Sequence, residues 1–264
     1  MRATDPEALE LITRGRIEVE GRLVDASNAT LFCAVELDGE RAHCVYKPIN
    51  GERPLWDFPD GTLAGREVAA YLVAHEAGLD VIPPTVLRKG PFGRGMVQLW
   101  IDTKDGDDLV DVVAPADVPG GWREVLHAHD RFGGPAVLVH SDHPSVRLLC
   151  AIDVVINNAD RKGGHVLHGT DGEVYGVDHG ICLHQENKLR TVLWGWVGEP
   201  LPAEAVEGIG RLRGALRGDF ADVLARHLTM AEIGALMSRV DTLLADPVFP
   251  GPDSQWRAIP WPAF

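Results

Sequence analysis

One stretch constrains this chain more than any other, residues 152–180, IDVVINNADRKGGHVLHGTDGEVYGVDHG. An apolar run of helical character ends in a polar loop, residues 157–165, that carries Asp160. The short apolar strand Val166-Leu167-His168 follows, then a Thr170-Asp171-Gly172 turn and a second strand over residues 174–177. That strand delivers Asp178-His179-Gly180. Two carboxylates therefore stand at opposite ends of one β-hairpin, each just outside a regular element. Oxygen ligands so placed can address one metal-bound phosphate.

The remainder must supply a scaffold for those two acids. With 264 residues the chain makes one large domain or two small lobes. Charged residues are 24 % of it, ordinary for a soluble globular protein, and no apolar run approaches the roughly 18 residues of a membrane span. The first fifteen residues lack the apolar core of a signal peptide, so a cytoplasmic location is expected. A net charge of −14 argues against nucleic acid and anionic membrane surfaces as partners. Cys33, Cys44, Cys150 and Cys182 are scattered without a CxxC, which predicts buried free thiols. The eleven histidines show no HExxH spacing, His127 and His129 cannot share one side of a helix, and most are expected at the surface or in caps.

In chain order, residues 5–13 predict a capped helix, and residues 16–24, 31–37 and 41–47 three antiparallel strands. Residues 51–61 are irregular but too apolar at Leu55, Trp56 and Phe58 to be a free linker; packing is the expectation for Trp56 and Phe58. A helix is predicted over residues 65–78 with Gly78 as its stop, then an edge strand entered through Pro83-Pro84 and a strand over 95–101. The charged run 102–108 suits a hinge between lobes, giving an N-terminal lobe over 1–101 and a C-terminal lobe over 102–264. Residues 102–140 give no clear pattern. Helices are expected over 144–157, 202–217, 220–227 and 233–244, the last behind a capping box at Thr229–Glu232. Residues 190–196 read as an aromatic strand or loop, and the tail after 247 as an irregular strap. The fold class is therefore α+β, with a β-rich first part carrying one helix and a mainly helical second part.

Several stretches together resemble the atypical kinases of the phosphatidylinositol 3-/4-kinase superfamily, especially type II phosphatidylinositol 4-kinases and HipA-like protein kinases. They are Val45-Tyr46-Lys47-Pro48, Arg66-Glu67-Val68-Ala69-Ala70-Tyr71-Leu72, Val81-Ile82-Pro83-Pro84-Thr85, Asn158-Ala159-Asp160-Arg161 and Val177-Asp178-His179-Gly180. The overlap runs from about residue 16 to 180. The resemblance implies a two-lobed protein-kinase-like fold and a phosphotransferase that uses ATP with Mg2+ or Mn2+. It makes Lys47 the nucleotide lysine, Glu67 its helix partner, Asp160 the catalytic aspartate and Asp178 the main metal ligand. Ser27, Asn28 and Thr30 would line the phosphate turn, and Gln98, Leu99, Trp100 and Ile101 would form the hinge against adenine.

One position departs from the pattern. Where these families carry a metal-binding asparagine, five residues after the aspartate, this chain has His165. A neutral imidazole can ligate a divalent metal and favours manganese; the alternative is that His165 only caps the loop. With the ordinary imidazole pKa near 6.5, a ligating His165 would make metal-dependent ATP binding weaken between about pH 7.5 and 5.5. Lys162 is either a contact to the γ-phosphate or an exposed loop lysine. The acceptor is expected to be a hydroxyl of a protein or polar small molecule, without integral membrane association. AMP transfer, or a nucleotide-binding scaffold without catalysis, are the competing readings.

Overall fold

The computed structural model describes residues 5–23, 29–104, 106–253 and 257–264. Alternating polar and apolar side chains give β1 (Arg16–Arg22), β2 (Leu31–Leu37) and β3 (Glu40–Pro48), paired antiparallel. Asp38 and Gly39, both at positive φ (52° and 90°), close the two-residue turn between β2 and β3. With β4 (Thr85–Gly90) and β5 (Gly93–Leu99) these strands form one sheet in the order β1-β2-β3-β5-β4. β4 is at the edge, where Pro83-Pro84 cost no ladder bond. Helix α1 (Pro6–Arg14) lays Ala8, Leu11 and Ile12 on this sheet against Cys33, Val35 and Val97.

Helix α2 (Leu63–Glu76) is buried on nearly every face. Thr62 caps it by accepting from Gly65 N–H, and the Glu52 carboxylate accepts from the N–H groups of Leu63 and Ala64 at 3.0 and 2.8 Å. Gly78, at φ 64°, ends it. Ala64 and Val68 touch Met96 of the sheet, while Ala69, Val73 and Ala77 belong to the large apolar cluster of the helical region. Apolar packing thus runs through α2 from sheet to helices.

Residues 102–140, illegible from sequence, contain a second antiparallel sheet: β6 (Val110–Val113), β7 (Trp122–His129) and β8 (Pro135–Ser141), in the order β6-β8-β7. Only β8 carries a continuous buried run, Ala136 to His140; β7 is largely exposed. The helical frame for His127 and His129 is therefore corrected. On a strand they are two residues apart and share a face.

Helix α3 (Pro144–Ile156) ends at Asn157, whose left-handed φ of 54° turns the chain into the polar loop. Strands β9 (Val166–His168) and β10 (Val174–Gly176) follow as a hairpin. Helices α4 (Ala203–Leu216), α5 (Phe220–Leu224) and α6 (Met230–Ala245) complete the helical region. α5 stops three residues before the expected end at His227. The capping box of α6, Thr229 with Glu232, is formed in both directions.

The aromatic segment is a short 3-10 turn over Trp194–Trp196, not a strand. Trp196 is fully buried, and the Trp194 indole donates to Ala258 O at 2.8 Å. All four cysteines are buried free thiols. His140, His179 and His184 are buried, while the other eight histidines are exposed or partly exposed and His143 caps α3. Phe58 packs as expected, between Arg66 and His184, but Trp56 is 87 % exposed. The tail docks: Ala258 O accepts from Thr191 N–H, and Ala263 O from Gly163 N–H at 2.8 Å. Among the described residues no helix is long and apolar enough to cross a membrane.

Arg66 ties α2 to α6. Its guanidinium is 1 % exposed, meets Glu232 at 2.5 Å and donates to the carbonyls of Cys182 and Asp60. Removing one partner of a buried ion pair strands the other, at a cost of roughly 3–5 kcal/mol. Glu232→Gln should lower unfolding free energy by about that much in urea titrations. Adding Arg66→Met should restore much of the loss, and a double variant no better than the single would refute this account.

Candidate functional site

Lys47 lies one residue before the end of β3, paired with Met96 of β5, and reaches across to α2. Its Nζ is 2.6 Å from Glu67 Oε1 and 2.8 Å from Asp178 Oδ1. Burial opposes charge on the lysine, but the two carboxylates more than offset it, and the net shift is upward. Asp178 is held below the usual carboxylate range, chiefly by Lys47. Glu67 is 2 % exposed, and its burial raises its pKa against the pull of Lys47. Its second oxygen accepts from the His179 N–H at 3.2 Å.

The loop that carries Asp160 is held from beneath. Arg161, fully buried, donates to both oxygens of Asp153 on α3 at 2.7 and 2.9 Å. It also donates to His165 O at 3.1 Å, Val177 O at 2.9 Å and His179 Nε2 at 2.6 Å. Because a guanidinium can only donate, His179 accepts through Nε2, and burial with the nearby arginine keeps its pKa well below normal. Asn158 bridges Asp153 Oδ1 and the Asp160 N–H. One guanidinium thus fixes both flanks of the hairpin.

This corrects the picture of carboxylates at opposite ends of the hairpin. Val166 pairs with Gly176, so the residues before β9 and after β10 meet at the same, open end. Asp160 and Asp178 line one small cavity with Lys47, Glu52 and Glu67, of about 50 Å³. Burial raises the Asp160 pKa, with Lys162 opposing; Lys162 Nζ is 3.8 Å from Asp160 Oδ2.

A larger cavity of about 300 Å³ opens on the other side of Lys47 and Asp178. Thr30, Val45 and the run Gln98, Leu99, Trp100 and Ile101 form one wall, and Gly164, His165 and Leu167 the other. The Gln98 amide is turned to Thr85 Oγ1 at 2.8 Å, and Trp100 N–H is taken by His43 O. Among the described residues, Ile101 makes no backbone hydrogen bond. Ser27 and Asn28 lie outside the described residues.

His165 Nε2 stands 3.5 Å from Asp178 Oδ2. That separation lets both contact one small cation, provided the imidazole is neutral. Burial supplies this condition by lowering the His165 pKa to about 4, against the pull of Asp178. Among the described residues no three His, Cys, Asp or Glu side chains converge on a metal position, so a cation there needs further oxygens from its ligand.

Sequence reasoning did not single out Asp153, and it gave Arg66 and Arg161 no role within the stretches that contain them. Asp153 was legible in principle, as the one acid inside the apolar run Cys150-Ala151-Ile152-Asp153-Val154-Val155. A buried acid needs a buried partner, and Arg161 is the nearest cation that follows.

Protein Rv2133c of Mycobacterium tuberculosis (strain ATCC 25618 / H37Rv) is 52 % identical over 264 residues, covering 96 % of this chain and 94 % of that protein. The chain belongs to its family. A more distant similarity, 26 % over 213 residues, is to Phosphatidylinositol 4-kinase gamma 4 of Oryza sativa subsp. japonica; it covers 66 % of this chain and 33 % of that protein. No family model matches the chain.

The His165 environment has a measurable consequence. Its folded pKa, about 4, lies below the ordinary 6.5, so protonation favours the unfolded chain. Stability contributed by this group is complete above about pH 6.5 and lost as pH falls towards 4. An NMR titration of the His165 ring should give a midpoint far below 6.5, near 4. An ordinary midpoint would show that the ring is not shielded as described.

Proposed function

We propose that this chain is an ATP- and divalent-metal-dependent phosphotransferase that moves the γ-phosphate to a hydroxyl of a protein or polar small molecule. The observation that carries it is the convergence of Lys47, Glu67 and Asp178 between a roomy, largely apolar cavity and a small polar one holding Asp160. Kinase chemistry is mostly positioning and charge neutralisation, and these are the groups it requires. The partial similarity to a protein named a phosphatidylinositol 4-kinase supports the same class.

In this reading adenine enters between Val45 and Leu167, beside the Ile101 N–H and C=O. Lys47, kept charged, contacts the phosphates. Asp178 and His165 hold Mg2+ or Mn2+, which supplies charge neutralisation on the transferred group. Asp160 orients the acceptor hydroxyl and takes its proton, and its raised pKa makes it a better base than a surface aspartate. Lys162 supports Asp160 or the γ-phosphate. Residues 1–101 and 102–264 serve as the two lobes, working in the cytoplasm. Because burial keeps His165 neutral, acid weakens metal-dependent binding only below about pH 5, not between 7.5 and 5.5.

Nucleotide at about 100 times its dissociation constant stabilises a fold by roughly 2.7 kcal/mol. At about 2–4 °C per kcal/mol, millimolar ATP with Mg2+ or Mn2+ should raise the melting temperature by several degrees. No shift with either metal would sink the proposal.

Label from γ-labelled but not α-labelled ATP should reach the acceptor; the reverse pattern would mean AMP transfer. Asp160→Ala should keep the thermal shift yet lose about 100-fold or more in transfer, whereas Asp178→Ala should lose the shift itself. Full turnover by Asp160→Ala would remove it from the catalytic role.

A further inference from the structure

Asp160 is flanked by two cations that the nucleotide cleft does not use. Lys162 Nζ stands 3.8 Å from Asp160 Oδ2, and Arg190 donates through Nε to Ala159 O at 2.6 Å. Neither residue lines the cavity assigned to the nucleotide or the small one that holds Asp160. Burial raises the Asp160 pKa, and Lys162, then Arg190, oppose it through their charge.

Arg190 is held firmly against the loop that carries Asp160. Its N–H donates to Asn158 O at 3.0 Å, its C=O accepts from Arg161 N–H at 3.1 Å, and Thr191 forms a parallel bridge with Arg161. With Nε tied to Ala159 as well, backbone and side chain are both fixed. Nη1 and Nη2 are the donors left over. Among the described residues they have no partner, and neither is shut off from solvent. Glu186, the acid that precedes Arg190 in this segment, faces Lys188 instead. A guanidinium whose Nε is taken presents Nη1 and Nη2 end-on, a planar pair that matches the two oxygens of a carboxylate.

We propose that Arg190 selects the acceptor: on the reading of Asp160 as the base of a phosphotransferase, the hydroxyl presented to it belongs to a molecule with a carboxylate close by, and Arg190 holds that carboxylate end-on. Charge sets the class. Lys162 offsets Asp160, so Arg190 leaves one positive charge beside the base. That suits a monoanion better than a phosphomonoester, which carries about two negative charges at pH 7. Without Lys162, Asp160 would repel the incoming carboxylate. In the transfer, the acceptor oxygen attacks Pγ, the bond from Pγ to the β–γ bridging oxygen breaks, ADP leaves and the hydroxyl proton passes to Asp160. The carboxylate itself is unchanged. It comes from a free hydroxy acid or from an acidic residue beside a serine or threonine.

Calorimetry on the full chain, saturated with Mg2+ and a non-hydrolysable ATP analogue, tests this with two matched pairs at millimolar concentration. One pair is the N-acetyl dipeptide amides seryl-glutamate and seryl-glutamine; the other is glycerate and glyceramide. In at least one pair the carboxylate should bind about tenfold or more tightly than its neutral partner, and the pair that shows this identifies the source. Arg190→Gln should abolish the preference. Arg190→Lys, which keeps the charge, should retain part of it, and both variants should keep the thermal shift with Mg2+–ATP. Equal binding within both pairs, no binding of any probe, a preference that survives Arg190→Gln, or loss of the Mg2+–ATP shift in Arg190→Lys would each overturn the proposal. The first two outcomes are read on the unaltered chain, so they hold even where a variant does not fold. No Mg2+–ATP shift in the unaltered chain would instead strike the phosphotransferase reading, and this proposal with it.

Discussion

The site rests on the buried pair Asp153–Arg161. Both side chains are fully buried, so their desolvation cost is large and their attraction is spent mainly on meeting it. Net stabilisation is therefore not what the pair contributes. Its contribution is position. The guanidinium has donors left over after Asp153, and these take the carbonyls of His165 and Val177 together with the His179 ring. Three segments that are separate in sequence are fixed to one rigid fork. Asp160 and Asp178 inherit their spacing from that fork.

Helix α2 plays the matching part on the opposite wall through two adjacent residues. Arg66 looks into the helical region and pairs with Glu232; Glu67 looks into the cleft and pairs with Lys47. One residue step rotates a side chain by about 100° around a helix, so neighbours naturally address different surroundings. The sheet lysine and the helical core are thereby referred to the same turn of helix. Glu52 and Thr62 hold the start of that helix by accepting its first free N–H groups.

Sequence reasoning read the elements that have strong local signals. The β1–β3 alternation, the Gly78 stop, the Thr229 capping box and the 166–177 hairpin all depend on residues close together in the chain. What it missed depends on distance. β7 is a largely exposed edge strand beside β8, so its pattern carries little periodicity. Arg66 meets Glu232 across 166 positions of sequence, and no local pattern encodes that contact. The cleft composition was partly legible: Lys47, Glu67 and Asp178 were picked out as residue types in order, and the structure brings both carboxylates within 2.8 Å of Lys47 Nζ. Which end of the hairpin the acids share was not legible, because it follows from strand register.

The direct bridge between Lys47 and Asp178 makes the cleft a conjunction detector. A lone cation approaching Asp178 must displace an ammonium at 2.8 Å, and a lone anion approaching Lys47 must draw it from two carboxylates. Arriving together, each takes the partner that the other releases. The coupling is reciprocal by thermodynamic necessity, so whatever the cation adds to anion affinity the anion adds to cation affinity. Under the proposed function, a pocket wired in this way would favour a metal–phosphate complex over either ion alone.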